Sequence, residues 1–149
     1  MINKKNWLGI LLMVFVLTVA SWGQDKTING TWVYDFYEFT FIDGNFELLN
    51  DGKPDSRGTY TTNNNIITLT YTYVHGGILN NEYDFDYDFQ LKWYSKNELK
   101  PILVPSEISE NDFNEWYFFT ISYNYFVSLS GNILNMTFEN NTDIFRRKR

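Results

Sequence analysis

The 149-residue chain contains no cysteine, and this absence excludes several chemistries at once. Without thiols the protein has no disulfides, no thiolate nucleophile, no cysteine-ligated zinc and no lipidated N-terminal cysteine. Histidine occurs only once and proline three times. The stability of the fold must therefore come from the packing of side chains rather than from covalent cross-links.

Positive charge is also scarce, because 12 Lys and Arg residues stand against 18 Asp and Glu residues, for a net charge of −6 at pH 7. An acidic body of this kind repels phosphate backbones, so we expect no nucleic-acid binding. We interpret the basic residues at 146–149 as a strand end carrying an inward arginine. Large rings are abundant instead, since 13 Phe, 11 Tyr and 5 Trp make up 19% of the chain.

Residues 1–23 have the layout of a secretory signal: two lysines, an apolar run over residues 8–20, and small residues before a cleavage site at Gln24. The apolar run is shorter than the ~20 residues that a membrane-spanning helix needs. We therefore predict an export signal at 1–23, one domain at 24–149, and no stable membrane span after cleavage. The predicted location is the periplasm, the cell surface or the medium. The alternative is that the segment remains uncleaved as an anchor.

Beyond the signal, apolar and polar residues alternate, and β-branched and aromatic residues dominate the apolar positions. This period of two is typical of β-strands with one buried face. An Asp-Gly turn at residues 43–44 pairs Phe41 with Phe46 and Phe39 with Leu48, which places four apolar side chains on one face. The pattern predicts a β-hairpin at this point.

The same argument applies to turns predicted at residues 63–64, 131–132 and 141–142. The cross-strand pairs predicted from these turns are Tyr60 with Ile67, Val127 with Met136, and Phe138 with Phe145. We therefore predict an all-β, antiparallel up-and-down meander of about 8–10 short strands, closed into a barrel, with a sandwich as the alternative. One short helix or ordered loop is predicted near residues 106–118, where Ser109 is a candidate N-cap.

Two short motifs frame this meander: Gly30-Thr31-Trp32 at its beginning and Phe-Arg-Arg at residues 145–147. Together they resemble those of a small exported bacterial lipocalin-like domain, of the lipocalin and calycin type. The resemblance implies an up-and-down barrel with a closed end made by Gly30, Trp32 and Arg147, in which the guanidinium packs across the indole. It also implies binding of a small ligand. The family's middle motif, Thr-Asp-Tyr, has no counterpart in this chain.

The aromatic residues on the inward face are the candidate ligand-binding set. An eight-stranded barrel is just wide enough to be filled by side chains or to hold one small molecule. We predict an exported, monomeric, non-enzymatic protein, without a cofactor, that holds a small apolar or amphipathic ligand among these rings. The predicted lining residues are Trp32, Phe39, Phe41, Tyr60, Tyr71, Tyr87, Phe89, Trp93, Tyr123 and Tyr125.

A second hypothesis is that the barrel is completely filled and that the protein acts through its surface. In that case the segment 105–119 would present an aromatic cluster, bordered by acidic residues, to a partner protein. The residues of this predicted partner surface are Trp116, Tyr117, Phe118 and Phe119.

Signals for catalysis and metal binding are weak. His75 is predicted to lie in a surface turn with Gly76 and Gly77, with no Gly-x-Ser-x-Gly motif elsewhere. A hydrolase based on two carboxylates is a third hypothesis, for which no pair stands out. Three aspartates alternate with rings in residues 83–89 but lack the glycine and glutamate of a calcium loop. We predict that these aspartates face solvent on a strand and bind no metal.

Overall fold

The computed structural model describes residues 28–82, 87–104, 107–128 and 130–149, so the predicted signal at 1–23 lies outside the described residues. These ranges contain nine strands and three short helices. The strands are β1 (Gly30–Tyr34), β2 (Tyr37–Ile42), β3 (Asn45–Asn50), β4 (Lys53–Asn63), β5 (Ile66–His75), β6 (Trp93–Ser95), β7 (Thr120–Val127), β8 (Ile133–Phe138) and β9 (Asn141–Arg147). The helices are α1 (Gly76–Glu82), α2 (Lys96–Leu103) and α3 (Glu110–Tyr117). Within these ranges, no helix has the length and apolar character needed to cross a membrane.

Eight of the strands form a closed antiparallel barrel in the order β4-β3-β2-β1-β9-β8-β7-β5, and pairing between β4 and β5 closes it. The predicted all-β barrel is confirmed. The strand β6 lies outside the ring and pairs only with the last residues of β5. An insertion that contains α1, β6, α2 and α3 therefore separates β5 from β7. The sequence patterns indicated only the last of these helices.

The first hairpin has the predicted register, with Phe39 opposite Leu48 and Phe41 opposite Phe46. Its turn residues Asp43 and Gly44 have φ values of 44° and 84°. Positive φ at both central positions gives a two-residue turn whose twist matches that of the flanking strands. The Asp-Gly pair therefore fixed both the turn and the face.

The other predicted registers are wrong, although the inward faces are retained. The β4–β5 turn uses Asn64 and Asn65, both with positive φ, instead of residues 63–64. The β8–β9 turn lies at residues 139–140 instead of 141–142. The observed pairs are Tyr60 with Leu69, Val127 with Leu134, and Phe138 with Asn141. Each error shifts the pairing by an even number of residues, which preserves the side to which every residue points.

Two separate hydrophobic cores result from this topology. The barrel core contains the inward residues of the ring strands, among them Trp32, Phe41 and Leu69. The second core lies under the insertion and is contributed mainly by the helices and by residues beside β6. Its buried members are Val74, Leu79, Phe89, Tyr94, Leu99, Leu103, Phe113 and Tyr117.

Gly58 marks a close approach between the two longest strands, β4 and β5. A Cβ atom at this position would lie 1.9 Å from the carbonyl oxygen of Thr70. The register between β4 and β5 also shifts between Arg57 and Gly58. Only glycine allows the backbones to come this close, and it lies at the irregularity in the β4–β5 pairing.

Candidate functional site

One end of the barrel is sealed by the predicted contact between an indole and a guanidinium. Trp32 is fully buried, and it lies opposite Arg147 across the β1–β9 pair. The Arg147 Cζ atom lies 4.3 Å from the centroid of the Trp32 ring, within the range of a cation–π interaction. The indole Nε1 donates a hydrogen bond of 2.7 Å to the carbonyl of Ile28. We refer to this end as the floor.

Hydrogen bonds to backbone carbonyls hold the guanidinium in place at the floor. Arg147 Nε donates to the Gly131 carbonyl at 2.7 Å, and Nη1 donates to the Asn29 carbonyl at 2.8 Å. A Cβ atom at Gly30 would lie 2.6 Å from Nη1, and Gly30 has a φ of 126°. The glycine before the tryptophan therefore leaves the space that the guanidinium occupies. The Tyr60 hydroxyl completes the floor with a 2.7 Å hydrogen bond to Asn29 Oδ1.

Rings fill the lower and middle levels of the barrel above the floor. Phe41 meets Tyr60 edge to face, with their centroids 5.1 Å apart. Phe46 meets Tyr71 in the same way at 4.9 Å. Such edge-to-face pairs are the preferred packing of aromatic side chains. This part of the interior is therefore occupied by the protein's own side chains.

The opposite end is open and contains a cavity of about 370 Å³. We refer to this end as the mouth. The β1–β2 turn, the middle of β3 and the first residues of β9 surround it. The residues that line this cavity are Tyr34, Tyr37, Phe39, Leu48, Tyr123, Met136, Asp143 and Phe145.

An adjoining cavity of about 220 Å³ lies between the mouth and the insertion. It shares Tyr37 and Leu48 with the larger cavity. Trp116 of α3 and Phe119 form its far wall, and Phe119 stacks on Tyr71 with a centroid distance of 4.3 Å. The insertion therefore covers one side of the mouth and leaves the other side open.

Acidic groups and phenols supply the polar atoms of the mouth. Burial and, to a lesser degree, the Asp143 carboxylate raise the pKa of Tyr123. Burial also raises the pKa of Tyr71. Asp55 occupies an irregularity in β4, between the partners of Leu48 and Leu49, and burial raises the pKa of its carboxyl against the opposing effect of neighbouring side chains. None of the described residues that line the two cavities is Lys, Arg or His.

No family model, curated protein or solved structure matches this chain. The chemistry of the site therefore has to be argued from its own geometry. Aromatic and aliphatic walls favour the non-covalent burial of an apolar body, and a few polar atoms at one side can orient it.

Most of the predicted lining residues lie inside the barrel. Tyr123 is half-buried at the mouth, and the others that belong to the ring are buried in the barrel core. The buried residues of this group are Trp32, Phe39, Phe41, Tyr60, Tyr71 and Tyr125. Of the predicted set, only Phe39 and Tyr123 line the larger cavity, because the other rings fill the space below it.

Three predicted lining residues lie elsewhere. Tyr87 is 45% exposed, Phe89 belongs to the second core, and Trp93 lies on β6, where its ring meets that of His75 at 5.1 Å. The prediction treated residues 83–89 as a barrel strand. Residues 87–89 are not in a strand, and residues 83–86 lie outside the described part of the chain. The predicted place of these three residues inside the barrel is wrong, because the insertion replaces the expected strand.

Several residues of the mouth were missed by sequence reasoning. Tyr34 and Tyr37 flank the short β1–β2 turn, which carries no strong turn signal in the sequence. Asp143 alternates with Phe145 and Arg147 along β9, so all three point inward. Period two alone was sufficient to find this carboxylate. The predicted β8–β9 turn at residues 141–142 would place Asp143 next to a loop, whereas it lies within β9.

The predicted partner surface does not form an exposed cluster. Trp116 is 47% exposed, whereas Tyr117 is only 4% exposed. Phe118 packs against Phe113 of the second core at 5.1 Å, and Phe119 contacts Tyr71 of the barrel. Ser109 caps α3 as predicted, accepting a hydrogen bond from the Asp112 amide at 3.2 Å. Within α3, Phe113 and Tyr117 pack in the second core, whereas Phe119, which follows the helix, contacts the barrel.

The position of His75 is fixed by the junction between β5 and α1. It is the last residue of β5, and Gly76 and Gly77 begin α1 instead of forming the predicted surface turn. The Gly77 amide donates a 3.1 Å hydrogen bond to His75 Nδ1, and burial lowers the pKa of the imidazole although Glu47 acts in the opposite direction. Within the described ranges, no three His, Cys, Asp or Glu residues are grouped as metal ligands would be. The predicted solvent-facing Asp84 and Asp86 lie outside those ranges.

Proposed function

We propose that this protein is an exported, monomeric binding protein of the lipocalin-like type that holds a small apolar or amphipathic molecule at the mouth of its barrel. The observation that carries the proposal is the cavity of about 370 Å³, enclosed by Tyr37, Phe39, Leu48 and Phe145. Small-molecule sites are usually clefts of about 300–1,000 Å³ with mostly apolar walls. The cavity is at the small end of that range, which favours a compact ligand.

The contrast with the floor supports a binding role for the mouth. The floor encloses Trp32 and Arg147 with hydrogen-bonded partners, so a ligand has no entry there. The mouth is open to solvent and is lined by rings that are already in place. Burial of apolar ligand surface against such walls yields about 25 cal/mol per Å². No covalent step is required for this mode of binding.

Two sequence features support the finer parts of the proposal. The residues 1–23 have the order of an export signal, which supports delivery outside the cytoplasm. Gly30, Trp32 and Arg147 have the arrangement that the lipocalin resemblance implies, since the glycine makes room for the guanidinium that covers the indole. A small exported barrel with one sealed end and one open end is well suited to carry or sequester a ligand.

A neutral fluorescent probe tests the proposal directly. N-phenyl-1-naphthylamine gains fluorescence in apolar surroundings, so its titration into the purified chain should give saturable binding at one site. Leu48→Trp adds bulk to a wall shared by both cavities and should weaken the probe's affinity by about tenfold or more. Ile144→Trp adds the same ring on the outer face of β9, at a residue that is 52% exposed, and should leave the affinity unchanged.

Native mass spectrometry of gently purified protein, followed by organic extraction, would identify any small molecule that co-purifies with the chain. A reproducible adduct that is lost in Leu48→Trp and retained in Ile144→Trp supports the proposal. Probe binding that is equal in both variants would place the site elsewhere. The absence of saturable binding of any apolar probe to the wild-type chain would contradict a ligand-binding role.

A further inference from the structure

The charge at the mouth has only one sign among the described lining residues. Asp143 lines the larger cavity and Asp55 lines the adjoining one. The two cavities share the wall made by Tyr37 and Leu48, so the two carboxyls line adjoining cavities at the same end of the barrel. A cleft with low-dielectric walls and charge of one sign concentrates counter-ions of the opposite sign.

Asp143 is directed into the barrel by its position on β9. It lies opposite Met136 of β8, which is buried, and one strand period from Phe145, which is also buried. Asp143 and Tyr123 line the same cavity, and the carboxylate contributes to the raised pKa of this phenol. Asp143 forms no ion pair with any described lysine or arginine. Its negative charge therefore faces the cavity.

At the other end of β9, the charge of the inward residue is paired. Arg147 also points inward, but its charge is used by the Trp32 ring and by the carbonyls of Asn29 and Gly131. Asp143, which is half-buried at the mouth, forms no comparable ion pair with the described residues. A cation that approaches an unpaired carboxylate beside apolar walls gains a favourable electrostatic interaction with it.

We infer that the ligand of the mouth is a cationic amphiphile, with an apolar body among the rings and an ammonium group against Asp143. This inference rests on the proposed function and specifies the chemical class of its ligand. The aromatic walls contribute in the same direction, because the faces of Tyr34, Tyr37 and Tyr123 attract cations. Asp55 adds further negative potential from the adjoining cavity.

Three probes of equal chain length separate the effect of charge from that of apolar burial. Decylamine, decanol and decanoate carry a positive, neutral and negative head group at pH 7, since an alkyl amine ionises as a lysine side chain does. Each is titrated below its micelle concentration, by calorimetry and by displacement of bound N-phenyl-1-naphthylamine. We expect the order amine, alcohol, carboxylate, with the amine bound at least about tenfold more tightly than the carboxylate.

Two variants locate the preference. Asp143→Asn retains the shape of the side chain and removes its charge, and it should reduce the ratio of amine to carboxylate affinity to about threefold or less. Asp51→Asn removes the same charge from an exposed turn residue at the same end of the barrel and should keep the wild-type ratio. Circular dichroism establishes that both variants fold.

The outcomes distinguish this inference from the proposal on which it rests. Equal affinity for all three probes, or a preference for decanoate, overturns the inference and leaves an apolar binding site in place. Failure of all three to bind, decanol included, contradicts the proposed function itself. An equal loss of preference in both aspartate variants would show that the overall negative charge, and not Asp143, selects the amine. The wild-type order decides the charge class of the ligand even if Asp143→Asn does not fold.

Discussion

The two ends of the barrel use the same kinds of side chain for different purposes. At the floor, Trp32 is completely enclosed, and Arg147 satisfies its charge on a ring and on backbone carbonyls. At the mouth, Tyr37 and Tyr123 stand beside open space, and Asp143 faces a cavity. Because both ends belong to the same eight strands, the backbone does not explain the difference. At the floor, each side chain has partners that fit its size and charge. At the mouth, the side chains leave space and a charge without such partners among the described residues.

This contrast separates stability from binding. Residues at the floor should contribute to the free energy of unfolding and have little effect on ligand affinity. Residues at the mouth should have the reverse effect, because binding sites retain unfilled volume and unpaired polar groups at some cost to stability.

Trp32→Ala should have the largest effect on stability. The substitution empties the centre of the floor, removes the Nε1 hydrogen bond to Ile28 and leaves the Arg147 guanidinium without its ring. We expect the free energy of unfolding to decrease by about 3–5 kcal/mol, as for other large-to-small core substitutions. Urea denaturation at constant m-value measures this change.

Trp116→Ala is the matched control for that substitution, since Trp116 is a half-exposed indole beside the mouth. Its loss should change the free energy of unfolding by less than about 1 kcal/mol. A comparable decrease in both variants would show that the floor is not the more strongly stabilised end. The comparison between the two ends would then have no energetic basis.

Gly30→Ala should be the next largest perturbation. A methyl group at residue 30 would overlap the Arg147 guanidinium, and the φ of 126° is unfavourable for alanine. We expect a loss of about 2–3 kcal/mol, from backbone strain and from the displaced hydrogen bonds.

Gly131→Ala provides the comparison, because Gly131 also has a positive φ, of 68°, but no atom lies within 4 Å of its added Cβ. It should report the backbone cost alone, about 1 kcal/mol. The difference between the two glycine variants therefore measures the steric requirement of the guanidinium. Equal losses in urea unfolding would mean that Gly30 is needed only for its backbone conformation.

The sequence predicted the floor better than the mouth for a physical reason. Closure depends on a few residues with specific partners, so the resemblance of two short motifs was enough to identify Gly30, Trp32 and Arg147. The mouth depends on what is left empty, and vacant space has no sequence signal. In the sequence, Tyr34, which lines the mouth, cannot be distinguished from the aromatic residues that fill the core.

Features set by neighbouring residues were predicted correctly, whereas features set by contacts between distant segments were not. The Asp43-Gly44 turn encodes its own backbone conformation and was placed correctly. Turns rich in asparagine offered several positions for positive φ, so the choice between residues 63–64 and 64–65 depended on contacts with other strands. The second core brings together Val74, Leu99 and Phe113, which are distant in sequence. Alternation within one segment cannot reveal such a cluster.

Arg147→Lys should destabilise the floor by a smaller amount. Lysine keeps the positive charge but cannot cover the Trp32 ring with a planar group while donating to the carbonyls of both Asn29 and Gly131. We expect a loss of about 1–2 kcal/mol in urea unfolding, with unchanged affinity for the neutral probe. Arg146→Lys, at the exposed neighbouring position, should stay within about 0.5 kcal/mol of the wild type. A similar loss in both variants would contradict a specific role for the guanidinium.

Asp55→Asn should give the smallest change and should increase stability at neutral pH. Because burial raises the pKa of Asp55 above its ordinary value of 3.8, the folded state binds the proton more tightly than the unfolded state does. Stability therefore decreases as the pH rises from 3.8 through the raised pKa, and the asparagine variant avoids this loss. Urea unfolding between pH 3.5 and pH 7 should reveal a gain that disappears at the acidic end of this range. Asp51→Asn, in the exposed turn nearby, should follow the wild-type pH profile. A gain that persists at the acidic end would attribute the effect to packing, and the mouth would then bear no electrostatic cost from this carboxyl.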